Sequence, residues 1–314
     1  MKKIAFLMSV CLATTSLVFA QQDAQISQNM FNKFAINPAY AGATPNLNAS
    51  LLHRSQWVGF KGAPTTQIMH AEMPVYALSG GIGITIVNDA IGDGFKQRQF
   101  NIAYAYRGKL SRDTYFGLGI TAGLYNSAFN KKWRTPGGTN GSEDPDIPDG
   151  NASAVHPDFG FGAYVQTKNY NFGLSSTHLI EFESELDGGK NARFASSRHI
   201  YGIAEARYEM NRLWNFVPSV FFKTDQVVYQ LDFAANFAYK EDFTVGVSYR
   251  DFDAVALMMS YRYEEKIRFG YAYDVTVSNL KHYSSGSHEV FVRYSYPIKM
   301  PAKSRTRYRN NRFL

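Results

Sequence analysis

Alternation of apolar residues with polar or small ones runs through most of this 314-residue chain. Over 100–107, for example, every second residue is Phe, Ile or Tyr, and the residues between them are Asn, Ala or Arg. A helix would scatter such a set around its circumference, whereas a strand places it on one face. The same period recurs at 243–250 and 267–274. The chain is therefore predicted to consist of strands with one apolar and one polar face.

Fourteen segments are predicted as strands, which is an even number. They are 47–57, 65–73, 80–88, 96–107, 114–125, 157–167, 170–177, 198–209, 213–222, 227–239, 243–250, 255–263, 267–277 and 288–296. The connections alternate between tight polar turns, such as 168–169 and 240–242, and longer links, such as 126–156 and 178–197. Short and long connections are therefore expected at opposite ends of the sheet.

Strands of about ten residues with an apolar outer face, short turns at one end and longer loops at the other are typical of outer-membrane barrels. A soluble two-sheet sandwich also shows alternation, but its apolar faces point inward at each other. Tyr and Trp near many strand ends suit the aromatic girdles of a barrel. These residues are Trp57, Tyr76, Tyr104, Tyr106, Trp214, Tyr239, Tyr261, Tyr263, Tyr294 and Tyr296. The predicted fold is an all-β transmembrane antiparallel β-barrel of about 14 strands, with short periplasmic turns and longer extracellular loops.

The first twenty residues resemble a targeting signal. Lys2 and Lys3 precede an apolar stretch, and the small residue Ala20 predicts cleavage before Gln21. The only cysteine, Cys11, lies inside this stretch. We therefore expect a mature chain without disulfides, cysteine nucleophiles or cysteine-bound metals.

The charge of the chain is concentrated at its C-terminal end. The formal net charge is +7, but residues 299–314 contain six basic residues and no acid. The remainder of the mature chain is close to neutral, so the basic pI does not indicate nucleic-acid binding. We predict a signal peptide at 1–20, a periplasmic N-terminal segment at 21–46, the barrel at 47–298 and a basic periplasmic tail at 299–314. An even number of strands predicts that both termini are in the periplasm.

No residue pattern indicates catalysis or a metal site. The acidic run at 143–150 lacks the spacing of a calcium loop, and the seven histidines are scattered without helical pairing. Ser175, Ser176 and His178 invite comparison with a serine lipase, but adjacent strand residues face opposite ways and no acidic partner is evident. We therefore predict a non-enzymatic protein without catalytic, cofactor-binding or metal-binding residues.

Polar residues of both signs are predicted on the inner face of the barrel. They are Asn101, Arg107, Asp232, Asn236, Arg250, Arg262, Arg268, Asp274 and Arg293. Ion pairs that fill the lumen would explain them, and so would a water-filled pore. A structural subunit and an outer-membrane porin or ligand channel therefore both fit the pattern.

The segment before the first strand carries a specific motif. Residues 21–42 read QQDAQISQNMFNKFAINPAYAG, in which Met30, Phe31, Phe34 and Ile36 are predicted to form a short amphipathic turn that plugs the barrel or caps its periplasmic rim. Together with the run RSQWVGF at 54–60, this segment closely resembles the opening signature of the PorP/SprF family of the type IX secretion system. The resemblance extends over essentially the whole mature protein, and it departs from the signature at Ala24, Ile26, Asn29 and 33–35.

The resemblance implies an outer-membrane component of the secretion and gliding machinery of Bacteroidota. The partners it implies are the periplasmic type IX machinery or a peptidoglycan-binding adaptor, and a secreted surface effector or adhesin, in addition to outer-membrane lipid. We expect partner-binding residues in the two signature runs and in the tail. They are Met30, Phe31, Asn37, Pro38, Tyr40, Arg54, Gln56, Trp57, Arg305, Arg307, Arg309 and Arg312.

Overall fold

The computed structural model describes residues 23–92, 94–129, 152–185 and 193–299. Its main element is one closed antiparallel barrel of 14 strands, as predicted. The strands are β1 (Asn46–Ser55), β2 (Thr65–Val75), β3 (Gly80–Ile91), β4 (Phe95–Ser111), β5 (Thr114–Phe129), β6 (Ala152–Gln166), β7 (Tyr170–Thr177), β8 (His199–Ala206), β9 (Trp214–Thr224), β10 (Tyr229–Tyr239), β11 (Phe243–Arg250), β12 (Ala254–Tyr263), β13 (Ile267–Thr276) and β14 (Ser287–Pro297). After β8 the chain adds two strand residues, Tyr208–Glu209, that also pair with β9.

The barrel closes because β1 pairs with β14 in continuous register. Asn46 lies opposite Pro297 at one end of this pair, and Ser55 lies opposite His288 at the other. Each remaining strand pairs with its neighbours in the chain, so the barrel has no free edge. Closure of a single sheet excludes the two-sheet sandwich.

The period-two pattern sorts the side chains as predicted. Phe100 and Ile102 are exposed on the outer face of β4, while Asn101 and Ala103 between them are buried on the inner face. Outer-face Leu118 and Ile120 of β5 continue the same apolar surface. This outer surface is suited to contact lipid, because apolar side chains are more stable in the hydrocarbon core of a membrane than in water.

The two ends of the barrel differ in their connections. We call one the turn end, where the connections 112–113, 167–169, 240–242 and 264–266 are short. The barrel also begins and ends there, because Asn46 pairs with Pro297. We call the other the loop end, which carries 56–64, 178–198 and 277–286.

Most predicted strand boundaries agree closely with the structure, and some differ. β7 and β11 have the predicted bounds, whereas β6 begins at Ala152, five residues before the predicted 157. The predicted link 178–197 contains a short hairpin of Glu183–Glu185 with Arg193–Ala195 that the pattern did not indicate. Three-residue strands are too short to show a period. The acidic run at 143–150 lies outside the described residues.

The N-terminal segment lies inside the barrel. It contains a 3-10 turn at Asn29–Phe31, the single-turn helix α1 (Lys33–Ile36) and a second 3-10 turn at Pro38–Tyr40. Among the described residues, no helix is long and apolar enough to cross a membrane. Most side chains between Ile26 and Ala41 are buried against the inner faces of strands. We call residues 23–42 the plug.

The plug runs from the loop end to the turn end. Asp23 contacts His178 and His199, which flank the long link at the loop end, whereas Gly42 contacts Gly81 near the start of β3 at the turn end. The segment was predicted to be periplasmic, with both termini at the same end. In the structure, the first described residue and the end of β14 lie at opposite ends, because the plug traverses the lumen before β1 begins. The placement of both termini in the periplasm stays a prediction.

Candidate functional site

The candidate functional site is the plug together with the inner-face residues that hold it. Its centre is Arg54 of β1, whose side chain is almost completely buried. The Arg54 Nη2 atom lies 2.7 Å from Oδ2 of Asp274, and Nη1 lies 3.2 Å from Oε2 of Glu289. Arg54 Nη1 also donates to the Ser27 hydroxyl of the plug at 2.7 Å. One arginine thus connects β1, β13, β14 and the plug.

A second arginine completes this network. Arg250 of β11 pairs with Asp274 at 3.1 Å and donates to the Ser27 hydroxyl at 3.0 Å. The backbone N–H groups of Ser27 and Gln28 both donate to the Glu289 carboxylate at 2.8 Å. We call Arg54, Arg250, Asp274 and Glu289 the arginine lock. Buried charges are tolerated here because each is paired and hydrogen-bonded.

A separate cluster holds Asp23 at the loop end. His178, directly after β7, lies between two carboxylates: Nε2 is 2.9 Å from Asp23 Oδ1 and Nδ1 is 2.8 Å from Asp158 Oδ1. Both ring nitrogens therefore donate, which requires the charged imidazolium. We call Asp23, Asp158 and His178 the histidine latch.

The charge state of the latch follows from its surroundings. Burial lowers the pKa of His178, but the carboxylates of Asp23 and Asp158 outweigh burial and raise it to about 10. Burial raises the pKa of Asp23, but the charged His178 that donates to its carboxylate outweighs burial and holds that pKa well below its ordinary value. The latch is therefore an ion pair at neutral pH.

Further groups surround Asp23. Lys223 donates to the Asp23 carbonyl, and the Tyr201 hydroxyl donates to the Asp23 carboxylate. The Asp23 N–H donates to Nε2 of His199 at 3.0 Å, while Nδ1 of His199 donates to the Ser197 carbonyl at 2.9 Å. Every polar atom of the first plug residue is thus bonded to the barrel.

Asp23, His178 and His199 are the one group in the described part of the chain whose ligand atoms approach within the 4.8 Å expected around a metal ion. The four ring nitrogens of the two histidines are already committed to hydrogen bonds. An ion would have to displace these bonds, and His178 would have to lose one proton to offer a ring nitrogen as a ligand. The donor set therefore fits an anchor for the plug better than a metal site.

The middle of the plug packs closely against small inner-face residues. Phe34 and Ala41 form an apolar cluster with Ala103 and Ala105 of β4. A Cβ atom added at Gly119 of β5 would lie 2.4 Å from the backbone nitrogen of Ala39. The lumen is therefore shaped to the plug, and larger inner-face side chains would displace it.

The Asn-Pro motif of the signature has a structural explanation. The Asn37 side-chain amide donates to the barrel carbonyls of Ala163 at 3.0 Å and Leu174 at 3.3 Å. Its oxygen accepts from the Ala39 N–H at 2.9 Å, which caps the turn that Pro38 begins. Asn37 thus bonds to both the plug and the barrel.

The predicted site residues occupy two places. Met30, Phe31, Asn37, Pro38 and Tyr40 lie in the plug and contact the barrel itself. Phe31 packs against Phe291, and Tyr40 packs edge-on against Tyr164, with ring centroids 5.4 Å and 5.2 Å apart respectively. Partner binding by these residues stays a prediction.

The second signature run lies partly at the loop end. Arg54 points into the lumen, whereas Gln56 and Trp57 lie in the link that follows β1, where the Trp57 N–H donates to the Ser287 hydroxyl at 3.0 Å. The tail residues Arg305, Arg307, Arg309 and Arg312 lie outside the described residues.

The residues that hold the plug were only partly foreseen. Arg250 and Asp274 were predicted to face inward, but Ser27, Glu289 and Asp23 were not singled out. A charged residue at an inner-face position was the available signal for Glu289. The structure does not support the comparison of Ser175 and His178 with a serine lipase. The Ser175 hydroxyl donates to the Ile36 carbonyl at 2.6 Å, and His178 belongs to the histidine latch.

Several solved structures are similar to this chain. The chain is similar to a Pseudomonas aeruginosa FadL homologue (11% identity, covering 81% of this chain and 89% of that one, TM-score 0.44). It is also similar to a TodX deletion mutant described as a monoaromatic hydrocarbon channel (11%, 87% and 95%, TM-score 0.48) and to the KdgM porin (9%, 79% and 99%, TM-score 0.37). These likenesses concern the fold alone.

No curated protein matches the chain significantly. The profile of the family described as type IX secretion system membrane protein PorP/SprF matches residues 18–294. This span includes the plug, the arginine lock and the histidine latch. The chain therefore belongs to the PorP/SprF family of type IX secretion system membrane proteins.

Proposed function

We propose that this protein is a non-enzymatic outer-membrane subunit that links the periplasmic type IX machinery to, or anchors, a secreted surface protein. In this proposal the turn end faces the periplasm and the loop end faces the cell exterior, because outer-membrane barrels have short periplasmic turns. A role in gliding belongs to the same proposal.

The observation that carries the proposal is the plug. A diffusion porin needs a water-filled lumen, whereas this lumen contains a chain segment anchored at the loop end by the histidine latch and further along by the arginine lock. Asn37 and the closely packed glycines hold its middle. A rigid, filled barrel suits an anchor better than a pore.

The first experiment separates an anchor from a channel. The full chain reconstituted in a planar bilayer is expected to show no steady open conductance. A variant lacking residues 23–41 is expected to conduct, which proves that the barrel is inserted and that the plug closes it. Steady open channels in the unaltered protein would favour the porin alternative.

The second experiment tests the role in secretion. Deletion of the gene is expected to remove at least one secreted protein from the cell surface, as measured by surface proteolysis and mass spectrometry. Expression of the full chain is expected to restore it. An unchanged set of surface proteins would refute the proposed function. Protease added to intact cells should also cleave the protein at the loop end and leave the turn 240–242 uncleaved.

A further inference from the structure

Three arginines lie side by side on the inner face at the turn end. Arg262 of β12 is the register partner of Arg268 of β13, and Arg268 is the register partner of Arg293 of β14. The flanking residues Val292 and Tyr294 are exposed on the outer face, so Arg293 points inward. We call these three residues the arginine row.

Three neighbouring positive charges destabilise the folded protein unless negatively charged groups lie close to them. Like charges directly opposite each other on neighbouring strands are destabilising. Arg262 is compensated, because its Nη2 lies 2.9 Å from Oδ1 of Asp242. Among the described residues, Arg268 donates to two neutral groups, the Ser260 hydroxyl at 2.9 Å and the Glu241 carbonyl at 2.8 Å, and its guanidinium carbon lies 5.4 Å from the Phe31 ring centroid of the plug.

Arg293 has the fewest polar contacts of the three arginines. Within the described parts of the chain it has no hydrogen bond or ion pair, and its Nε atom is buried without a partner. In the described part of the chain, neither the Arg268 nor the Arg293 guanidinium group forms an ion pair with a carboxylate. A planar guanidinium binds carboxylates in a two-pronged geometry that no neighbouring group supplies here.

The acids at this end are already engaged. The Glu241 carboxylate pairs with Arg207 and accepts from Asn215. Glu72 accepts from the Asn48 amide at 2.6 Å and from the Gly42 N–H at 3.2 Å. Glu72 is near enough to Arg293 to attract it, as Glu241 and Asp242 are to Arg268, but among the described residues none of these acids forms an ion pair with Arg268 or Arg293.

We propose that the arginine row binds an acidic segment of a partner polypeptide that enters the barrel mouth at the turn end. Three residues on adjacent strands span roughly 10 Å, which suits several carboxylates of one chain better than a single small anion. β14 ends at Pro297 at the same end, and the residues that follow it in the sequence are basic. This inference rests on the proposed function, since it specifies the chemistry of the periplasmic partner.

Binding of a labelled acidic peptide to the purified full chain in detergent tests the proposal. The probe is a fluorescent ten-residue peptide of alternating Asp and Gly, followed by fluorescence polarisation, and its control has Asn in place of Asp. The Asp peptide should bind and the Asn peptide should not. Arg293→Gln and Arg268→Gln should each weaken binding at least about tenfold, because each removes a charge-assisted contact. Arg293→Lys, which keeps the charge without the two-pronged geometry, should weaken binding by a smaller factor.

The matched control is Arg212→Gln, which removes an exposed arginine in the connection between β8 and β9 at the same end, outside the row. It should bind the Asp peptide as the unaltered protein does. Equal losses for Arg212→Gln and Arg293→Gln would overturn the proposal, and so would equal binding of the Asp and Asn peptides. Full competition by an equimolar amount of inorganic phosphate would also overturn it, in favour of a small-anion site. Heat-modifiable migration on gels shows whether each variant is folded. These outcomes do not depend on the surface-display experiment, so either proposal can fail alone.

Discussion

Arg54 and Asp274 form a buried ion pair, with Nη2 2.7 Å from Oδ2, across the seam where the barrel closes. Arg54 lies in β1 and Asp274 in β13, and β14 runs between them. The Ser27 hydroxyl of the plug donates to Asp274 at 2.7 Å and thus joins the same pair. Closure of the barrel and seating of the plug therefore depend on the same charged groups.

Arg54→Ala is expected to destabilise the protein strongly. The substitution leaves Asp274 and Glu289 with less positive charge in a buried site, and loss of one partner of a buried pair costs about 3 to 5 kcal/mol. Denaturant unfolding in detergent micelles measures the change. Arg98→Ala, at an exposed position of β4, is the control and should change the free energy of unfolding by less than about 0.5 kcal/mol. Similar losses for both variants would show that the lock does not stabilise the barrel.

Gly119→Ala is expected to displace the plug while leaving the barrel intact. The added methyl group would meet the backbone of Ala39 at 2.4 Å, and backbone cannot move aside as a flexible side chain can. Overpacking of this kind costs about 1 to 3 kcal/mol. Bilayer conductance should rise above that of the unaltered protein. Gly202→Ala is the matched control, because its methyl group would meet Phe222 at an ordinary 3.6 Å, and it should leave conductance unchanged.

The outer face should reject charge according to depth. Val247→Arg, in the middle of β11, is expected to cost about 2 to 4 kcal/mol, because the guanidinium would face the centre of the bilayer. Tyr263→Arg, at the turn end of β12, should cost about 0 to 1 kcal/mol near the interface. Unfolding from lipid vesicles measures both values. Equal costs would contradict the assignment of the outer face to lipid.

The histidine latch should weaken at high pH. The pKa of His178 is raised in the folded protein to about 10, so its stabilising contribution is complete below the ordinary histidine pKa of about 6.5 and is lost as the pH rises toward 10. Asp23, whose pKa is held low, remains charged throughout this range. The start of the plug should therefore become more mobile between pH 6.5 and pH 10.

A spin label measures this mobility. With Ala24→Cys in a mature chain that is expected to contain no other cysteine, the label reports on the residue next to Asp23. Lys223 and Tyr201 also contact Asp23, so the control is His178→Gln, in which the pH dependence should be much smaller. An unchanged profile in His178→Gln would assign the effect to another group.

Deletion of residues 302–314 is expected to leave the barrel inserted but to reduce surface display of the secreted protein. In the proposed orientation the end of β14 faces the periplasm, so the positive charge of the sequence that follows would attract an acidic periplasmic partner over a Debye length of about 8 Å. Heat-modifiable migration reports insertion, while surface proteolysis and pull-down of periplasmic proteins report function. Normal display and normal pull-down by the inserted, truncated barrel would contradict this prediction.

The alternation of residues was sufficient to predict the barrel and the orientation of its side chains. A strand has a period of two whatever its neighbours are, so Phe100 had to face opposite to Asn101. Tight turns such as 240–242 are local as well, and they set the strand count and the two kinds of end. The family motif was also readable, since it lies within 21–60.

The contents of the lumen were decided only by the tertiary structure. The charge of an inward arginine such as Arg250 can be stabilised by water in an open pore or by an acidic side chain in a filled lumen. The neighbouring residues in the sequence do not show which of the two is present. Asp274 and Ser27 are separated by 247 positions, and Asp23 and His178 by 155, so no local pattern links them. Their contacts exist because closure of the sheet brings distant inner-face groups around one space. Small residues of the wall leave room there for a segment with matching hydrogen-bond groups.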